Sequence, residues 1–157
     1  MESPLQLKKR KNGREEDELF YLDPGGKLHG LWRCYYPGGK LKEECNYKHG
    51  IFHGLMRSWY PGEKIAFTGE FLDGKPVGTH QEWFPNGTLK HRCEYNDGGL
   101  KDGEEFYWRP DGLEESYCKY VNGKRVGRGY YNWPNGKLAM EYFYDNGTEK
   151  YYPENRN

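Results

Sequence analysis

Five prolines recur at a nearly constant interval, and this period restricts the chain to a repeat architecture. The prolines are Pro37, Pro61, Pro85, Pro110 and Pro134, at spacings of 24, 24, 25 and 24 residues. A glycine precedes each proline by seven residues, an aromatic residue follows it by ten, and a second glycine follows that aromatic by three. Four positions that keep register over five units predict one structural unit repeated along the chain.

Each unit has the pattern of a β-hairpin. Aromatic residues end a first strand, and Pro85-Asn86-Gly87 is typical of the turn that follows it. A second strand is predicted to begin four residues after the proline in most units, but at Leu113 it begins one residue early, so we expect a local adjustment there. Second turns are indicated by Asp73-Gly74, Asn122-Gly123 and Asn146-Gly147.

Composition supports strands rather than helices. The 157 residues include 22 Gly and 9 Pro, and 17% of the chain is aromatic. We therefore predict an all-β, elongated array of antiparallel hairpins with about five units of 24 residues. The expected organisation is a charged flexible tail over 1–18, the repeat domain over 19–152 and a short tail over 153–157.

The repeat motif resembles a known family. Pro85-Asn86-Gly87-Thr88-Leu89 and Pro134-Asn135-Gly136-Lys137-Leu138 are similar to the MORN repeat, in the longer variant common in bacteria, where many members are described as antitoxins. The resemblance covers roughly 20–150 and departs from the pattern at Gly62-Glu63 and Gly112-Leu113. It implies a single curved sheet of successive hairpins and a non-catalytic role as an interaction module, tether or scaffold.

The aromatic residues two positions before the prolines are the candidate partner-binding residues. In-register repeats place equivalent side chains one above another. A single-layer sheet cannot bury both of its faces, so one column of rings is expected to remain accessible to a partner. The candidates are Tyr35, Trp59, Trp83 and Trp108, on the face opposite Tyr60 and Phe84.

Cysteine and histidine spacings predict no metal, catalytic or cofactor-binding residues. Cys45, Cys93 and Cys118 occupy one repeat position and lack the paired C-x-x-C spacing of zinc sites, so we interpret them as small inward-facing side chains. His49 and His53 are separated by a turn rather than by one helical turn, which argues against a shared metal. We predict that the protein is not an enzyme.

Charge limits the classes of partner. Lys plus Arg and Asp plus Glu number 24 each, so the formal net charge is zero, which disfavours a nucleic-acid or anionic-membrane binder. The basic run Lys8-Lys9-Arg10-Lys11 is followed at once by acidic residues. The sequence shows no export signal and no apolar run long enough to span a membrane, so we expect an intracellular protein or one within a large particle.

Several functions therefore remain open. The first is a protein-interaction scaffold, including a structural component of a large assembly such as a virus particle. The second is an antitoxin-like inhibitor that binds one partner protein, and the third is a membrane-surface tether, which the zero net charge disfavours. Exposed edge strands would also permit self-association between copies of the chain.

Overall fold

The computed structural model describes residues 5–14 and 16–150, which form one open, curved sheet of thirteen antiparallel strands. Each strand pairs with its neighbours in the sequence, from β1 at one edge to β13 at the other. The predicted all-β array of hairpins is confirmed. The strands are β1 (Gln6–Lys11), β2 (Asp17–Leu22), β3 (Gly30–Tyr35), β4 (Leu41–Lys48), β5 (Ile51–Trp59), β6 (Ile65–Leu72), β7 (Lys75–Trp83), β8 (Leu89–Tyr95), β9 (Lys101–Trp108), β10 (Glu114–Val121), β11 (Lys124–Asn132), β12 (Leu138–Asp145) and β13 (Thr148–Lys150).

The first turn of every unit has the same backbone hydrogen bonds. In the first unit the amide of Tyr36 donates to the carbonyl oxygen of Lys40 (2.8 Å), and Gly39 donates back to Tyr36 (2.9 Å). The proline after Tyr36 fixes the φ angle that starts such a turn. The same two bonds close the turns that begin at Tyr60, Phe84, Arg109 and Trp133.

The local adjustment expected at Leu113 is not found. The amide of Arg109 donates to the carbonyl oxygen of Leu113 (2.9 Å), so Leu113 belongs to a turn of ordinary length and β10 begins at Glu114. The 25-residue interval arises instead from the preceding turn. Tyr95 pairs with Lys101 across five residues, whereas the equivalent pair in the first unit is separated by four.

Positive φ angles explain the two repeating glycine positions. The glycine seven residues before each proline has a φ between 65° and 122°, a region in which a side chain would be strained. The two-residue second turns place both central residues at positive φ, which Asp and Asn tolerate well. These turns are His49-Gly50, Asp73-Gly74, Asn122-Gly123 and Asn146-Gly147. The first residue is Asp or Asn in three of them and His in the other.

Strand alternation divides the side chains between two faces of the sheet. We call the face that carries Cys45 and Cys93 the inner face, and the face that carries Trp59 and Trp83 the outer face. Among the described residues, the buried hydrophobic side chains all lie on the inner face: Phe20, Cys34, Cys45, Cys93 and Tyr120. The sheet therefore builds its core on one face without a second layer.

Large and small side chains are matched across the inner face. The three equivalent cysteines lie on the inner face as interpreted, where Cys45 and Cys93 are each only 1% exposed and Cys118 is half-buried. At Gly69 an added Cβ would lie 2.7 Å from the ring of His80, so that ring fills the space above the glycine. The cross-strand pairs are Trp32 with Cys45, Met56 with Gly69, His80 with Cys93, Glu105 with Cys118 and Gly129 with Tyr142.

Additional side chains lie between the rings of the repeating aromatic column ten residues after each proline. Phe52 lies between Tyr47 and Phe71, at centroid distances of 4.7 and 5.6 Å. His80 lies between Phe71 and Tyr95, at 5.1 and 4.9 Å. These contacts are within the range of favourable aromatic pairs, so the rings form a continuous ladder over these units.

Side chains also connect one hairpin to the next at the first turns. The hydroxyl of Tyr36 donates to the carbonyl oxygen of Trp59 (2.8 Å), and Tyr60 makes the same bond with Trp83 (2.6 Å). At the equivalent position Arg109 donates through its guanidinium to Asn132 (2.8 Å). These bonds hold successive units in register.

The N-terminal segment differs from the predicted flexible tail. Gln6–Lys11 and Asp17–Leu22 pair as an antiparallel hairpin that begins the sheet. The basic run therefore faces the acidic run across this hairpin, and Arg10 forms an ion pair with Glu18 (2.6 Å). The side chain of Asn12 accepts backbone hydrogen bonds that stabilise the turn. The predicted tail over 153–157 lies outside the described residues.

No helix long and apolar enough to cross a membrane is found within 5–14 and 16–150. All six residues of β1, the strand at one edge of the sheet, are exposed.

The hydrogen bonds between first turns predict opposite effects of adding and removing a hydroxyl group. Tyr60→Phe removes the bond to Trp83 and should lower the free energy of unfolding by about 1 kcal/mol. Phe84→Tyr is the matched reverse change, which places a hydroxyl near the carbonyl oxygen of Trp108 and should raise stability. Urea unfolding of both variants measures these effects. A loss of stability in both would contradict the role assigned to these bonds.

Candidate functional site

The four predicted partner-binding aromatics share the outer face. Tyr35 pairs with Leu41, Trp59 with Ile65 and Trp83 with Leu89, and in each case the strand register shifts immediately before the pair. Trp108 pairs with Glu114 at the equivalent position. The repeating shift gives each aromatic side chain the same direction, so the structure brings the four into one column along the sheet. All four are half-buried.

Other aromatic residues extend this column near the C-terminal end. Phe106 stacks on Trp108 at a centroid distance of 5.3 Å and lies 4.9 Å from Tyr117. Tyr117 in turn stacks on Tyr130 at 5.4 Å. We call Phe106, Trp108, Tyr117 and Tyr130 the outer aromatic cluster. The sequence analysis missed three of them, because their repeat positions hold polar or charged residues in earlier units.

Near the N-terminal end the same outer positions are charged. Glu44 lies between Arg33 and Arg57, at oxygen–nitrogen distances of 3.2 and 3.5 Å. A surface pocket of about 300 Å³ beside Tyr35 is also lined by Lys9, Asp17, Glu18, Leu19 and Gly39. The outer face therefore changes along its length from mixed charge to aromatic, which is a surface that can discriminate between partners.

A buried carboxylate on the inner face is held by its neighbours. Glu105 is 5% exposed, and its Oε1 lies 2.6 Å from Lys101 Nζ and 2.9 Å from His91 Nε2. Burial alone would raise the pKa of Glu105, but hydrogen bonds from His91 and Lys101 outweigh it and lower the pKa to about 2. His91 also stacks on Tyr107 at 4.2 Å. The carboxylate is therefore a charged structural link between β8 and β9.

The cysteine thiols are poor nucleophiles. Burial raises the pKa of Cys34 to about 11 and that of Cys45 to about 12. Burial also raises the pKa of Cys93 and Cys118. Since the thiolate is the reactive form, these side chains are protonated and unreactive at neutral pH.

A polar depression of about 500 Å³ lies beside Cys34 at the N-terminal end of the inner face. Two of its charged groups form an ion pair, since Lys42 Nζ lies 2.6 Å from Glu16 Oε1. Burial raises the pKa of Glu43, which also lines the depression.

The structure assembles a group of potential metal ligands that sequence spacing did not indicate. Asp23, His29 and His49 each place one ligand atom within 4.8 Å of the other two. His49 Nδ1 lies 2.7 Å from Asp23 Oδ2, and the rings of His29 and His49 are 4.7 Å apart. His49 and His53 have different partners, since His53 lies against Asp73 (3.0 Å).

This group was missed because its members come from two separate connections, Asp23 and His29 from the one between β2 and β3 and His49 from the turn between β4 and β5. The pair His49 and His53 was judged by sequence proximity, whereas the neighbours of His49 are 20 and 26 residues away. The available signal was the repeat itself, because residues about one period apart lie beside each other in successive hairpins.

The comparison with family models gives matches in the same register as the hairpins. A model described as a MORN repeat variant matches residues 28–49, 76–97 and 125–146. Each match begins nine residues before one of the repeating prolines and ends twelve residues after it. The hairpins between the matches contain the departures at Gly62-Glu63 and Gly112-Leu113, yet they have the same fold. A search of curated proteins gave no match.

The environment of Glu105 predicts a specific acid response. Because its pKa is about 2 in the folded chain and 4.5 is the ordinary value, the stabilisation it provides is present above pH 4.5 and is lost as the pH falls toward 2. Glu105→Gln should lower the free energy of unfolding at pH 7 by about 1–3 kcal/mol. Its deficit relative to the wild type should shrink over that acid range, as measured by urea unfolding.

A suitable control is Glu63→Gln, which removes an exposed ion pair with Lys40. At pH 7 this change should cost less than about 1 kcal/mol. A deficit of Glu105→Gln that stays constant from pH 7 to pH 2 would contradict the assigned charge.

Proposed function

Because this chain belongs to the MORN-repeat family, we propose that it is a non-catalytic scaffold that binds a partner protein through the outer face of its sheet. MORN repeats are in general modules that bind proteins or membranes. The observation that carries the proposal is the column of half-buried aromatic residues on the outer face, extended by the outer aromatic cluster.

Interface energetics favour this face. Aromatic side chains supply large contact areas and dominate the energy of many protein interfaces. The core lies on the inner face, where cysteines, rings and paired charges already contact one another. The outer column has no second layer over it within the described sheet, so a partner is the natural source of further burial.

The edge strands favour a face rather than an edge as the binding surface. Edge strands that carry cations, or that are very short, resist pairing with other strands. All six residues of β1 are exposed and four of them are cationic. These features weigh against the self-association considered from the sequence.

The same features bear on the membrane alternative. Among the cations of β1, Lys9 and Arg10 lie beside Asp17 and Glu18, at 3.6 and 2.6 Å. A basic segment that is neutralised in this way attracts an anionic bilayer weakly, and the net charge of the chain is zero.

Within the scaffold role, we propose that the protein is a structural component of a larger assembly. A sheet held in register along its whole length presents its outer column as an extended, repeating surface. Fractionation of a native extract by size, with the chain followed by mass spectrometry, tests this role. Recovery in a large, salt-resistant particle at fixed stoichiometry supports it. Recovery alone, or with one small companion, contradicts it and favours an inhibitor of one partner.

Truncation of one ring tests the outer face itself. Trp83→Ala should weaken binding of the partner recovered from the extract by more than about 1 kcal/mol. Trp133→Ala is the matched control, since Trp133 is 58% exposed but stands outside the column. Titration calorimetry measures both affinities, and thermal unfolding checks that each variant is folded. Unchanged affinity in a folded Trp83→Ala variant would contradict the proposal.

A further inference from the structure

We propose that Asp23, His29 and His49 bind a single zinc-type divalent cation, independently of the proposed scaffold function. Two imidazoles and one carboxylate are a donor set that suits zinc and leaves a fourth coordination position for water. The three ligand atoms lie within 4.8 Å of one another. Donors bound tetrahedrally to one zinc lie roughly 3.4 Å apart, so small side-chain movements would complete the site.

Asp23 is held so that one oxygen is directed at the site. Its Oδ1 accepts a hydrogen bond from the amide of Lys27 (2.9 Å), and its own amide donates to the carbonyl oxygen of Lys27 (2.8 Å). The remaining oxygen, Oδ2, lies 2.7 Å from Nδ1 of His49. The Asp23 side chain is only 8% exposed. This arrangement orients a buried carboxylate in the way that outer hydrogen bonds orient metal ligands.

His29 contributes a nitrogen that lacks a hydrogen-bond partner. Its Nδ1 is buried and has no hydrogen-bond partner among the residues that the structure describes. The backbone of His29 is fixed, because its amide donates to the carbonyl oxygen of Tyr21 (3.0 Å). A buried polar atom without a partner is unfavourable, and such atoms call for an explanation. Coordination of a cation by this nitrogen would satisfy it.

His49 supplies access from solvent. Its side chain is 60% exposed, so an ion can reach the site and water can complete the coordination. His49 has a φ of 51° at a turn position where three other units hold Asp or Asn. The turn is attached to the preceding one, since Gly50 donates its amide hydrogen to Leu28 (2.7 Å). The sequence therefore places an imidazole at a position where the turn itself favours a smaller residue.

A second group of potential ligands within the described residues is less suited to a cation. His91, Cys93 and Glu105 have similarly close ligand atoms. However, Lys101 Nζ already lies 2.6 Å from the oxygen of Glu105, and its ammonium group would repel an incoming metal ion. Among the described residues, by contrast, no lysine or arginine side chain forms an ion pair or hydrogen bond with Asp23.

The next unit provides an internal control. His53 and Asp73 occupy the repeat positions of His29 and His49, 24 residues later, and lie 3.0 Å apart. The residue 24 positions after Asp23 is Tyr47, so this pair lacks the third ligand. The Asp73 side chain is 72% exposed. A cation that requires all three ligands would therefore bind the first group and not the second.

Calorimetric titration of the full chain with zinc chloride tests the site. The wild type should bind one zinc ion per chain, and zinc should raise its melting temperature. His29→Asn and His49→Asn should each weaken zinc binding at least roughly tenfold. Loss of a group that only hydrogen-bonds to a metal ligand can already weaken binding by that factor. Asn tolerates the positive φ of His49, so that turn should be kept. His53→Asn should bind zinc as the wild type does.

A nuclear magnetic resonance measurement on the wild type keeps the test independent of variant folding. Zinc should change the chemical shifts of the imidazole nitrogens of His29 and His49 and leave the chemical shifts of those of His53 unchanged. The proposal is overturned if the wild type does not bind zinc, if His53→Asn weakens binding as much as His49→Asn, or if the imidazole shifts fall on other histidines.

Discussion

Within the described residues, each hairpin is held in place by the strands that neighbour it, because the sheet has a single layer. Backbone pairing alone leaves strand register weakly specified, so further contacts must fix it. The repeating turns provide them. Gly50, Gly74, Gly123 and Gly147 each donate an amide hydrogen to the preceding hairpin, at 2.7 to 2.9 Å. At the opposite ends of the strands, the side chains of Tyr36, Tyr60 and Arg109 each donate a hydrogen bond to a backbone carbonyl oxygen of the following hairpin. The 24-residue period thus brings together groups that lie 22 or 23 residues apart along the chain.

A single layer also separates stability from binding. The inner face reaches core-like burial by matching large side chains with small ones, as His80 does with Gly69, and by pairing the charge on Glu105. The outer face then carries aromatic residues that the hairpin geometry aligns but does not cover. This division supports the proposed scaffold role, since the residues that form the buried core are not those available to a partner.

Much of the fold follows from sequence because its determinants are local. Proline, Asn-Gly turns and alternating aromatics specify hairpins within 24 residues, and repetition extends them into a sheet. Features that depend on contacts between segments were not predictable in this way. The hairpin of β1 and β2 needs Arg10 to face Glu18, and the cluster of Asp23, His29 and His49 needs the β2–β3 connection to meet the β4–β5 turn. Leu113 was misplaced because the extra residue lies in the preceding turn, across the hairpin. The alignment of the aromatic column followed from the repeat, but Phe106, Tyr117 and Tyr130 were not predicted, since their repeat positions hold charged or polar residues in the earlier units.

Hydroxyl-radical footprinting of the chain, alone and in the complex purified from a native extract, tests the central claim most directly. Oxidation of tryptophan and tyrosine side chains would be quantified by mass spectrometry. The account predicts that Trp59, Trp83 and Trp108 become protected in the complex, while the exposed Trp133 stays reactive. Protection of Trp133 and the inner-face rings, with the outer column as reactive as in the free chain, would contradict it.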